Sequence, residues 1–96
     1  MSQRPSYRWM RDYLELLYDR VDDERARAML FEPAERSIVY AELELDLAAS
    51  GMPEGMFETS EGESLGIALL ALRLRFPRDI ALEKVELNIA MREGRA

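Results

Sequence analysis

Apolar and polar positions alternate along the middle and the end of the chain, and a period of two predicts strands. Val39, Ala41, Leu43, Leu45 and Leu47 alternate with Tyr40, Glu42, Glu44 and Asp46. Successive strand side chains point to opposite faces, so this stretch reads as a strand with one buried and one acidic side. On a helical wheel the same apolar residues, taken with Ile38, scatter widely, whereas at a period of two all but Ile38 share a face. The alternation recurs in Leu70, Leu72, Leu74 and Phe76, which Pro77 ends, and in Val85, Leu87, Ile89 and Met91. Met56 to Thr59 reads as a short strand anchored by Phe57, and Arg27 to Glu32 as either a last helical turn or a short strand.

Ahead of these stretches the period changes. Met10, Tyr13, Leu14, Leu17, Tyr18 and Val21 fall on one stripe of an amphipathic helix, predicted over residues 6–21 with Ser6 as its N-cap. Trp9 and Leu16 widen that stripe, a breadth suited to packing on a sheet or on a second copy. The polar run Asp22-Asp23-Glu24-Arg25 breaks the helix, and Pro33 to Arg36 is a turn or the first turn of another. Residues 52–64 are rich in turn formers. Together these elements predict a single α+β domain over residues 1–96. Its N-terminal amphipathic helix precedes a small antiparallel sheet or barrel that makes residues 27–92 mainly β.

Composition narrows the chemistry. The 96 residues carry a net charge of −6, which disfavours a nucleic acid duplex as partner. The absence of cysteine and histidine removes the usual zinc ligands and the commonest acid–base and nucleophile-activating groups. Ser50, Ser60 and Ser64 therefore have no histidine to activate them, and no catalytic residue is assigned. On a strand Glu42, Glu44 and Asp46 would project from one face about 7 Å apart. That row reads as a solvated face, so no metal site and no cofactor are assigned either. Arg20, Arg25, Arg27 and Arg36 suit a phosphate, but Asp19, Asp22, Asp23 and Glu24 surround them as ion-pair partners. The N-terminus has no apolar leader, and the longest wholly apolar run, residues 67–72, cannot span a bilayer. A cytoplasmic protein with no membrane insertion is expected.

One resemblance adds to this picture. Asp46-Leu47-Ala48-Ala49-Ser50-Gly51 is similar, apart from Ala48, to the [D/N]xSxxG ligand motif of the PilZ domain, a bacterial β-barrel module. Gly55 to Thr59, the turn ending at Gly66, Phe76-Pro77 and Val85 follow in the family's order, so the likeness runs over about residues 16–92. Upstream, Leu16 to Arg20 stands where the family has RxxxR and keeps only the second arginine. The resemblance implies a non-enzymatic regulatory or adaptor domain of cyclic di-GMP signalling, with Arg20, Asp46, Ser50 and Gly51 as the ligand-binding residues. Loss of one arginine would cost roughly 2–4 kcal/mol of ligand affinity, leaving protein–protein contacts and homo-oligomerisation as the working mode. A second reading keeps cyclic di-GMP, with Arg4, Arg8 and Arg25 as auxiliary arginines. A third sets the family aside: a small acidic interaction protein of antitoxin, inhibitor or chaperone type. It would hold its partner through Trp9, Tyr13 and Leu17 on the N-terminal helix.

Overall fold

Capping groups written into the sequence divide the chain into helices rather than strands. The computed structural model describes residues 7–52 and 55–94, with side chains from Trp9 onward. Its elements are α1 (Tyr7–Arg20), α2 (Asp23–Phe31), α3 (Pro33–Ala49), a 3-10 turn (Met56–Glu58), α4 (Ser60–Arg73) and α5 (Arg78–Arg92). No strand occurs among the described residues, so the expected α+β barrel over 27–92 is replaced by an all-helical bundle.

The boundaries have local causes. Asp22 takes extended backbone and accepts the Arg25 amide at 2.8 Å, capping α2, whose first turn carries Asp23 and Glu24. Pro33 occupies the first turn of α3, where its missing N–H is no loss. Thr59 caps α4 by accepting the Gly62 amide at 2.9 Å. At the far end of α3, Gly51 has φ +78°. Its amide reaches the Ala48 carbonyl at 3.1 Å and the Met52 amide reaches Leu47 at 3.0 Å. This is the paired hydrogen bonding of a Schellman C-cap. Asp46 to Gly51, the stretch that resembles a ligand-binding turn after a strand, is thus the last turn and cap of a helix.

The predicted N-terminal stripe holds. Met10, Tyr13, Leu14, Leu17, Tyr18 and Val21 are all buried. They pack on α4 and α5 rather than on a sheet. In α3 the buried residues are Val39, Tyr40, Leu43 and Leu47, a helical spacing of i, i+1, i+4 and i+8. Ala41 and Leu45, which complete the apparent alternation, face solvent. In α5 Val85 and Ile89 are buried while Leu87 and Met91 are exposed. The strand pattern arises because two helical stripes, one inside and one outside, interleave.

Helix α4 is the hub, packing on α1, α2, α5 and the 3-10 turn, while α3 packs on α2 and that turn. Arg73 ties the end of α4 to the α1–α2 corner. It donates to the Val21 carbonyl at 2.9 Å, pairs with Asp23 at 3.2 Å and lies 4.5 Å above the Tyr18 ring. Arg78 grips Asp19 bidentately at 2.8 and 2.9 Å, and that hydrogen bonding holds the Asp19 carboxyl below its usual range.

Two glycines of α4 permit the closest approaches. A Cβ on Gly62 would lie 1.8 Å from the Met56 carbonyl oxygen, and one on Gly66 would lie 2.4 Å from the Tyr40 hydroxyl. Gly62→Ala and Gly66→Ala should each lower stability by about 1–3 kcal/mol in urea melts, despite alanine's better helix propensity. Adding Tyr40→Phe should recover most of the Gly66→Ala loss, because the nearest remaining atom is a ring carbon at 3.2 Å. The same addition should leave Gly62→Ala unrelieved, since its obstacle is backbone.

Candidate functional site

A groove of about 620 Å³ opens between α3 and the segment that joins it to α4. Its floor is aromatic. The Tyr40 and Phe57 rings stack at 4.6 Å and 9°, and the Tyr13 ring lies 5.7 Å from Phe57, tilted by 46°. Phe57 sits on the 3-10 turn because the Glu44 carboxylate caps that turn from a distance. It accepts the amides of Gly55 at 2.6 Å and Phe57 at 3.0 Å. The alternation pattern puts Glu44 on a solvated acidic row with Glu42 and Asp46. Helical geometry instead turns Glu44 to the groove and leaves Glu42 and Asp46 together on another side.

The rim is charged unevenly. Arg36 lines the groove, but its guanidinium is spent on the C-terminus of α2, donating to Met29 at 2.7 Å and Leu30 at 3.4 Å. Glu63 stands 3.6 Å from it, half exposed, and Glu58 is exposed. The apolar wall is Ala41 and Leu45, with Leu45 73% exposed. Ile38, 52% exposed, continues that wall along α3 at the i, i+3, i+7 spacing. Tyr40 is 8% exposed and its hydroxyl has no hydrogen-bond partner among the described residues. Burial pushes that hydroxyl up to about 12, against the opposing pull of the Arg36 charge.

The residues singled out by sequence fall elsewhere. Arg20 and Asp46 do come together, as an exposed ion pair joining the end of α1 to α3. The Ser50 hydroxyl donates to the Asp46 carbonyl at 3.1 Å, and Gly51 supplies the helix cap. These four residues thus make a helix terminus and an ion pair. Arg25 pairs with Glu42 at 3.6 Å. Arg4 lies outside the described residues, as does the side chain of Arg8. Tyr13 and Leu17 are fully buried and cannot be an interaction surface, and Trp9 is half-buried against the core. Among the described residues no group of three acidic side chains is placed to hold a metal ion. The groove's own residues carry one signal in the sequence: Ala41 and Leu45 are apolar, yet off the helix stripe. Nothing local in the sequence links Glu44 to Gly55 and Phe57.

Compared with known proteins, the chain matches no family model, no curated protein and no solved structure. The resemblance to PilZ domains therefore stands on its residues alone, and the strands that order them are helices here.

Two measurements probe the groove floor. Glu44→Ala removes both caps of the 3-10 turn and should cost about 2–3 kcal/mol in urea unfolding, with Glu44→Gln, able to keep one acceptor, costing less. Tyr40 is raised from about 10 in the unfolded chain, so between pH 10 and 12 the unfolded state loses that proton while the folded state keeps it. Its contribution is complete below pH 10 and should fall by roughly 2–3 kcal/mol as pH rises through 12. Tyr40→Phe should abolish this share of the alkaline loss while changing neutral-pH stability by less than about 1 kcal/mol.

Proposed function

We propose that this chain is a small acidic interaction protein, without enzymatic activity, that holds a partner in the α3 groove in the manner of an antitoxin, inhibitor or chaperone. The partner segment that fits is a basic amphipathic helix. The observation that carries this reading is an apolar wall of Ile38, Ala41 and Leu45 left in water beside a rigid aromatic floor. A helix laid along α3 would seat its own apolar residues on Leu45 and the Tyr40–Phe57 stack. Its lysines or arginines would meet Glu58 and Glu63, on a chain whose net charge is already −6.

The surface differs from the one the sequence suggests. The N-terminal helix turns its stripe inward, and the outward apolar residues beside the groove, Ile38 and Leu45, belong to α3. Full burial of one leucine is worth about 1.5–3 kcal/mol, so Leu45 alone is a measurable anchor.

Calorimetric titration with a leucine/lysine amphipathic helical peptide tests this, with a leucine/glutamate peptide of the same pattern as control. Binding of the basic peptide is expected, weakening with added salt and at least tenfold weaker for Leu45→Glu. Because Leu45 is largely exposed, that variant should keep the helical circular dichroism of the parent. Equal binding of both peptides, or no change with Leu45→Glu, would sink the proposal.

A further inference from the structure

The two ends of the α3 groove are charged differently. At the end nearer the start of α3, Arg36 and Glu63 face each other at 3.6 Å, so the chain itself meets that carboxylate. At the other end two carboxylates converge on Gly55. Glu44 accepts the Gly55 amide at 2.6 Å, and one Glu58 carboxylate oxygen stands 3.9 Å from where a Cβ on Gly55 would lie. Neither Glu44 nor Glu58 has a basic partner among the described residues. The two amides that Glu44 accepts leave its charge in place and a second lone pair on each oxygen. The helical rise puts Arg36 and Glu44 about 12 Å apart along α3. That exceeds the roughly 8 Å over which charges act through physiological salt, so the two ends act separately.

We infer that the Gly55 end of the groove is a subsite for one basic side chain of the partner, a lysine or arginine carried level with Leu45. The inference rests on the groove reading above and says which of the partner's charges matters. Glu44 and Leu45 are neighbours in α3, so a basic residue beside the apolar residue seated on Leu45 reaches the carboxylate pair. Its methylene stem would lie along Ala41 and Leu45, with its N–H groups turned to the two acids. A hard divalent cation is the poorer occupant. It takes roughly six to eight oxygen ligands, and no group of three acidic side chains gathers among the described residues. An ammonium or guanidinium brings its own donors and needs only acceptors. A neutral or acidic segment laid over the groove would cover both carboxylates without a counter-charge, which is costly. The subsite thus selects against such segments as well as for a basic one.

Calorimetric titration with leucine/glutamine amphipathic peptides carrying no lysine, one central lysine or several tests the subsite. One lysine should tighten binding about tenfold, and each further lysine less than about threefold. Glu58→Gln should reduce the one-lysine peptide to the level of the lysine-free one. Glu63→Gln, whose charge Arg36 already meets, should retain most of the gain. Both residues are exposed, so both variants should keep the parent's helical circular dichroism. A gain that survives Glu58→Gln, is lost equally in Glu63→Gln, or grows evenly with each lysine would overturn the subsite while leaving the groove reading intact. Failure of even the lysine-rich peptide to bind would remove both.

Discussion

The close approach of backbone and ring to the glycine side of α4 is the constraint on which this fold rests. Gly62 lets the Met56 carbonyl lie against the helix, and Gly66 lets the Tyr40 ring do so. The 3-10 turn can then share one hub with α1, α2 and α5, and α3 reaches that hub through the Tyr40 ring. The Tyr40–Phe57 stack follows from that placement, and Glu44 locks it by taking both amides of the turn. A glycine in a helix interior weakens it by about 1 kcal/mol relative to alanine, so these two positions trade helix propensity for proximity. What that proximity gains is an aromatic floor whose position is set from three directions.

The α1 stripe was legible in the sequence because nothing apolar competes with it: Asp12 and Asp19 face water and the core residues keep one helical spacing. Residues 27–92 were not, and the reason is specific. Val39, Leu43 and Leu47 form a buried stripe, while Ala41 and Leu45 form a second stripe two residues out of step. Val85 and Ile89 stand in the same relation to Leu87 and Met91. Interleaved i, i+4 series produce an apparent period of two, and the helix propensity of these segments was the signal to weigh against it. The residues that disguised the helices are the exposed ones on which both outward faces are built.

The candidate site was less legible still. Asp46 and Gly51 sit at fixed spacing because a helix needs a left-handed residue just past its end, and glycine is the residue that adopts it without strain. Helix caps and ligand-binding turns draw on the same small vocabulary of Asp, Ser and Gly, so a short motif cannot separate them without the elements on either side. Arg20 and Asp46 do meet, but as partners for each other. Glu44 is the converse case. Its role depends on a turn eleven residues away, a tertiary relation that no local pattern encodes.

The two outward stripes belong to helices with different neighbours, α3 with α2 and the 3-10 turn, α5 with α1 and α4. One molecule therefore carries two separate exposed apolar stripes. Were two copies joined by any contact away from α3, the assembly would display a pair of α3 grooves held at a fixed separation. A target with two suitably spaced helices would then meet the second groove at an effective local concentration set by geometry rather than by bulk supply. Avidity of that kind can exceed single-site affinity by orders of magnitude without one added contact. It would also make the strength of holding depend on how much of this small protein is present.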